Sequence, residues 1–275
     1  MSVEAATVLD TLFGVRKPII AMIHVLPLPG SPRGRGCDLE RVYERAVEEA
    51  LGFEQGGVDG LLLENAGDIP FLKPDAIGFE TIGAMSVIGD RLRRATRLPF
   101  GFNIVANAAC ASLACAKSSG ASFVRVNQWA NAYIANEGFI EGAAAEALRY
   151  RMQIEAEEVA VFADVHVKHG SHAIVADREV AEQARDVEFF GADALIATGS
   201  RTGDPAAIKD VEDVRAGTSR QVLIGSGLNA ENAAELLRVA DGAIVGSWFR
   251  TTGDMWGPVD LANVSNLTAQ VRALR

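Results

Sequence analysis

At 275 residues, 49% hydrophobic and 23% charged, the chain has the balance of a soluble globular protein and the length to bury a large core. Its net charge of −10 excludes nucleic acid as a bulk partner, but leaves room for a small anion in a local pocket. No apolar run approaches the roughly 20 residues of a membrane-crossing helix, so no membrane span is expected.

The opening "MSVEAATVLDTLFG" has neither a basic n-region nor a small-residue cleavage site, and a cytoplasmic location is expected. Within it, "EAATVLDTLFG" reads as an extra helix ahead of the first strand, able to close the floor of a barrel. Short apolar runs then recur at 18–24, 58–65, 99–105, 122–127, 159–167, 192–199, 221–227 and 241–247, each ending in a polar or glycine signal. Between them lie stretches of helical periodicity such as "DLERVYERAVEEALGFEQGG", with Asp38 and Asn229 as candidate N-caps and glycines at 56, 57, 120 and 191 as stops. Eight strand–helix alternations in a chain of this size predict an α/β fold, a closed (β/α)8 barrel of one domain spanning 1–275. The rival, an open doubly wound sheet, calls for a glycine fingerprint after its first strand, and "HVLPLPGSPRGRG" is not one. Long βα connections at 25–37, 65–78 and 127–140 fall on the face where barrel active sites are built.

Three cysteines, Cys37, Cys110 and Cys115, show no Cys-x-x-Cys spacing and read as reduced thiols. More telling is "FADVHVKHGSHA", Phe162 to Ala173, which holds three of the four histidines. Side chains alternate along a strand, and in a barrel the outward set meets apolar helices. Asp164, His166 and Lys168 are therefore expected inside, with Val165 and Val167 outside. The same parity sends His24, Glu64, Asn103, Arg125, Asn127 and Thr198 into the barrel mouth. His169 and His172 fall on the loop beyond. So many ionisable groups sharing one mouth favour chemistry over structure, because buried charges are costly unless paired or used.

After the seventh run comes "IGSGLNAENAAELL" and after the eighth "IVGSWF". Gly225, Ser226, Gly227, Gly246 and Ser247 present little side chain, so backbone N–H groups there can approach a phosphate. Loops in these two places are the usual phosphate grip of the barrel.

The chain resembles the BtpA/SgcQ family almost from end to end. The matching segments include "MIHVLPLPGSPR" (22–33), "GVDGLLLENAGDIPF" (57–71), "FVRVN" (123–127), "EGAAAEALRYR" (141–151), "FADVHVKHG" (162–170), "ALIATGSRTG" (194–203), "GSGLNAENAAELL" (225–237) and "ADGAIVGSWFR" (240–250). The resemblance implies a (β/α)8 barrel like those of phosphate-binding enzymes, with one branch tied to photosystem I biogenesis and another to sugar-utilisation gene clusters. It also implies an Arg-Asn-Asp after the third strand, where this chain has Ala106-Asn107-Ala108, and a Lys near position 250, here Arg250.

The residues support an enzyme acting on a small phosphorylated metabolite by acid–base catalysis, as an isomerase, epimerase or lyase. Glu64, Asp164 and His166 would divide the acid and base roles, and Arg125 or Lys168 would stabilise an enolate or a second anion. His24, Asn103, Asn127 and Thr198 would bind substrate. No cofactor is required. Two alternatives stay open at the chemical level, a Schiff base at Lys168 and a divalent metal on Glu64, Asp164 and His166. A non-catalytic assembly or regulatory factor is the contrasting class. A phosphorylated small molecule and self-association into a homo-oligomer are the expected partnerships.

Overall fold

The computed structural model describes residues 6–199 and 207–275. Residues 200–203 of the segment "ALIATGSRTG" lie outside that range.

Ten strands form among the described residues. They are β1 (Ile19–His24), β2 (Gly60–Glu64), β3 (Phe100–Asn103), β4 (Phe123–Val126), β5 (Ala132–Ala135), β6 (Gly138–Glu141), β7 (Ala160–Val165), β8 (Ala194–Ala197), β9 (Gln221–Ile224) and β10 (Gly242–Val245). Eight of them close a parallel barrel in the order β1-β10-β9-β8-β7-β4-β3-β2, while β5 and β6 stand apart as an antiparallel hairpin. The α/β barrel read from the eight apolar runs is thus the fold of the chain.

Helices alternate with the barrel strands. They run as α1 (Val8–Phe13), α2 (Leu39–Gly56), α3 (Phe79–Ala95), α4 (Ala109–Ser119), α5 (Ala144–Gln153), α6 (Val180–Phe189), α7 (Ile208–Arg215), α8 (Ala233–Leu236) and α9 (Leu261–Arg272). None is long and apolar enough to cross a membrane. The Asp38 side chain accepts from the Glu40 N–H to start α2, and Gly57 at φ +84° ends it in the left-handed conformation that a Cβ would oppose.

Strand parity decides which side chains fill the barrel. Ile20 and Met22 of β1, Leu62 of β2, Phe123 of β4, Phe162 of β7 and Ile196 of β8 form one interior cluster. Their strand neighbours Ile19, Ala21, Leu61, Leu63, Val161 and Ala163 belong to the layer between barrel and helices. The interior cluster continues onto α1 through Leu9, and the Phe13 ring meets Phe123 edge-on at 5.8 Å. The extra amino-terminal helix, begun by a Thr7–Asp10 capping box, therefore plugs the floor of the barrel. With the floor sealed by apolar packing, polar residues of the same parity are confined to the opposite end.

Candidate functional site

At that opposite end the strand termini surround a cavity of about 390 Å³. Of the residues expected in the mouth, His24, Glu64, Arg125, Asn127, Lys168, Gly225, Ser226, Gly227, Gly246 and Ser247 line it. Asp164, Asn103 and Thr198 lie just beneath, buried to 8% exposure or less.

Asp164 is not an available carboxylate. Its Oδ2 accepts from Arg125 Nε at 2.9 Å and its Oδ1 from Nη2 at 2.9 Å, a two-pronged pair with side chains 3% and 0% exposed. The register aligns Arg125 with Phe162, and the two charges meet across β4 and β7 because both point inward. Asn127 adds a long contact to Asp164 at 3.4 Å, and its Oδ1 accepts from Asn103 Nδ2 at 3.0 Å. This network fixes the cavity floor. Arg125 is left with its charge largely answered and one face towards the cavity.

His166 departs from the expected parity. β7 ends at Val165, and His166 takes φ +56°, which turns the chain over. Its ring lies outside the cavity, stacked on His172 with centroids 3.8 Å apart and facing Gln183 of α6 across 3.5 Å. Val167, expected outside, instead lines the cavity and packs on Tyr133 and Ile140, whereas Val165 faces outward as expected. Lys168 and His169 follow Val167 to the mouth. Glu64, Asp164 and His166 are consequently not gathered as a ligand set, and no group of three or more His, Cys, Asp or Glu able to hold a metal occurs among the described residues.

Glu64 is the carboxylate that remains. It ends β2 facing the cavity, with no hydrogen bond to its carboxylate among the described residues. Burial raises its pKa, the positive charges of Arg125 and Lys168 pull it back down, and Asp164 pushes it up again. Beside it on β1, paired in register, stands His24. Burial, followed by the charges of Arg250, Lys168 and Arg125, holds His24 down at about 3, so its imidazole is neutral at physiological pH. A proton-accepting carboxylate next to a neutral imidazole and an ammonium can move a proton and stabilise the charge that develops.

The glycine loops are partly explained by packing. A Cβ on Gly225 would sit 2.5 Å from Thr198 Cγ2, and one on Gly246 would sit 3.1 Å from His24 Cε1. The Gly225 N–H is committed to the Ala197 carbonyl at 2.7 Å, which removes it from the anion grip expected of residues 225–227. Gly227, at φ +76°, does require the left-handed backbone, and its carbonyl accepts from Asn232 Nδ2 at 2.9 Å. Helix dipoles behind these loops are slight: α8 has four residues, and β10 is followed by a three-residue 3-10 turn, Ser247–Phe249.

Arg250 lies under these loops, 2% exposed, with Nη2 donating to Glu49 at 2.8 Å and to the Met22 carbonyl at 3.1 Å. It braces β1 against α2. Ala106 lies on the cavity wall, and Ala108 stands at the start of α4 without a capping side chain. Between them Asn107, at φ +62°, donates to the Gln128 and Glu141 carbonyls and accepts from the Gln128 N–H. It locks the β3 loop to the hairpin region.

The sequence reading missed the hairpin itself. β5 and β6 pair Ala132 with Glu141 and Ala135 with Gly138, and bring Tyr133, Ala135, Asn136 and Glu137 to the cavity. An antiparallel bridge from Ile134 to Ser171 ties the hairpin to the loop after β7, and the Tyr133 ring stacks on His172 at 5.2 Å. The available signal was the alternation in "AYIANEGFIE" about an Asn-x-Gly turn, in which Gly138 takes φ +98°.

The BtpA family model matches residues 15–273. The chain belongs to the BtpA family. It is 40% identical over 239 residues to an uncharacterized protein of Archaeoglobus fulgidus, covering 87% of this chain and 94% of that one. It is 37% identical over 254 residues to the photosystem I biogenesis protein BtpA of Synechocystis sp., covering 92% of this chain and 87% of the relative. Among solved structures, (S)-3-O-geranylgeranylglyceryl phosphate synthase from Thermoplasma acidophilum, in complex with sn-glycerol-1-phosphate, superposes with a TM-score of 0.62 at 16% identity. That superposition covers 98% of this chain and 100% of the synthase, and a likeness at this identity speaks for the fold alone.

Proposed function

We propose that this BtpA-family barrel is an enzyme acting on a small phosphorylated metabolite by proton transfer, in isomerase, epimerase or lyase chemistry. The observation that carries the reading is that Glu64, Lys168 and the loops at Gly227 and Gly246–Ser247 all face one cavity. The loops hold the phosphate, with Gly227, Gly246 and Ser247 as the closest backbone. Glu64, its carboxyl raised by burial, exchanges a proton with the substrate carbon or hydroxyl. Lys168 offsets the charge that develops, and Arg125, oriented by Asp164, presents its guanidinium to the same space. His24 contributes as a neutral imidazole. His166, turned to His172 and Gln183, has no part in it. The synthase with the same fold, bound to a glycerol phosphate, is in keeping with a phosphorylated ligand. Self-association into a homo-oligomer and a cytoplasmic setting belong to the same reading.

The non-catalytic alternative, an assembly factor, draws on the name of the Synechocystis relative. A factor of that kind has no use for a buried carboxylate with a raised pKa facing two glycine loops. The test is isothermal titration with inorganic phosphate. Binding to the full chain that is lost in Gly227→Val, whose branched side chain is opposed by φ +76°, supports the grip. Equal affinity in the variant and the parent refutes it.

A further inference from the structure

The barrel order that brings β9 and β10 together also fixes what stands across from them. In the ring β1-β10-β9-β8-β7-β4-β3-β2, β3 and β4 lie diametrically opposite β9 and β10. The wall facing the glycine loops is therefore built by the segments after β2 and β3 and by the hairpin that follows β4. Those segments contribute Ile69, Phe71, Val105, Ala106 and Tyr133 to the cavity, and Val167 joins them from the loop after β7. Ile69, Phe71 and Val105 remain only half-buried, and the cavity is the space they border. Polar side-chain atoms reach this side from Asn136 and Glu137 at the hairpin turn and from the Tyr133 hydroxyl, while the Asn127 amide is engaged by Asn103 and Asp164. Glu64 and Arg125 lie between the two walls, and Lys168 reaches the same cavity from the loop after β7.

A ligand held by its phosphate at Gly227 and Gly246–Ser247 thus projects its far end onto the apolar side chains of Ile69, Phe71, Val105 and Val167. A chain of hydroxyl groups laid there would exchange water for carbon and lose hydrogen bonds. A flat apolar ring would bury its faces against Phe71, Val105 and Tyr133, and could place one or two polar edge atoms at the Asn136–Glu137 turn. We infer that the ligand is a phosphate monoester whose organic part ends in a flat, largely apolar ring, aryl or heteroaryl, and not an open polyol. The inference rests on the phosphate grip proposed above and adds the chemistry of the opposite end.

The test compares inorganic phosphate, glycerol 1-phosphate and phenyl phosphate on the full chain by titration calorimetry, with displacement of each ester by inorganic phosphate. Phenyl phosphate should bind at least about tenfold more tightly than glycerol 1-phosphate, from burial of the ring faces. Inorganic phosphate should displace it. Phe71→Ser and Val105→Ser should each narrow that gap severalfold. Inorganic phosphate that binds while the two esters bind alike overturns this inference and leaves the grip standing. Failure of inorganic phosphate to bind removes the grip and the inference together. Phenyl phosphate bound tightly but not displaced by phosphate overturns the orientation argued here.

Discussion

The pair Arg125–Asp164 decides whether the floor of the cavity is structure or free machinery, and a double-mutant cycle separates the two. The side chains are 3% and 0% exposed and share two hydrogen bonds of 2.9 Å, so neither charge can be returned to water when its partner is removed. Arg125→Met leaves a buried carboxylate with only the 3.4 Å contact from Asn127. Asp164→Leu leaves a buried guanidinium. Each single substitution should cost about 3–5 kcal/mol, the usual penalty for stranding one member of a buried pair. The double variant Arg125→Met/Asp164→Leu replaces both charges with hydrocarbon of similar volume and should recover most of that loss. The coupling, the summed single costs less the cost of the double variant, should then be about 4 kcal/mol or more. Guanidinium titrations followed by far-UV circular dichroism give the four stabilities, provided the slopes stay equal. Strict additivity, or single costs below about 1 kcal/mol, would refute the locked floor and return Asp164 to the candidate catalytic carboxylates.

Two further expectations follow from the same geometry. His24 is held neutral down to about pH 3, whereas an unfolded histidine takes up its proton near 6.5, so below that pH the unfolded state binds a proton that the folded state refuses. Stability should be unaffected by His24 above about pH 6.5 and fall by about 2 kcal/mol towards pH 5. The decline should be shallower in His24→Gln; parallel curves for parent and variant would remove His24 as the cause. For metal, Asp164 is engaged by Arg125 and His166 faces Gln183, so protein purified without added metal should carry far less than one equivalent of zinc, manganese or iron, and phosphate binding should survive chelation. Near-stoichiometric metal lost in Glu64→Gln would make Glu64 a ligand and end the metal-free mechanism.

Where regular pairing holds, the inner face was legible from alternation alone. Ile20, Met22 and His24 on β1, Leu62 and Glu64 on β2, and Phe162 and Asp164 on β7 all obey one rule, because a hydrogen-bonded ladder forces period two. The ladder between β7 and β8 runs from Phe162↔Ala194 to Val165↔Ala197 and stops. One residue later His166 adopts φ +56°, and the facing of every side chain after it is reset. "VHVKHG" carries only a weak mark of that break, since histidine is enriched at positive φ but does not require it. Asp164 was therefore readable and His166 was not, although they are two positions apart.

Pairings made by packing are invisible for a different reason. Glu49 and Arg250 meet 201 positions apart, on a helix of amphipathic pattern and in a loop after the last strand, and no local periodicity links them. Arg125 and Asp164 were foreseen on the same side of the barrel, but not that their bidentate geometry would consume both charges. The distinction bears on the chemistry. Counting inward ionisable groups gave the mouth two carboxylates, whereas the closed Arg125–Asp164 pair leaves Glu64 as the carboxylate without a bonded partner among those proposed for catalysis. A mechanism in which Glu64 and Asp164 divide the acid and base roles would need Asp164 released from Arg125, which the geometry opposes. One carboxylate cycling its proton, with Lys168 answering the developing charge, is the chemistry this arrangement supports.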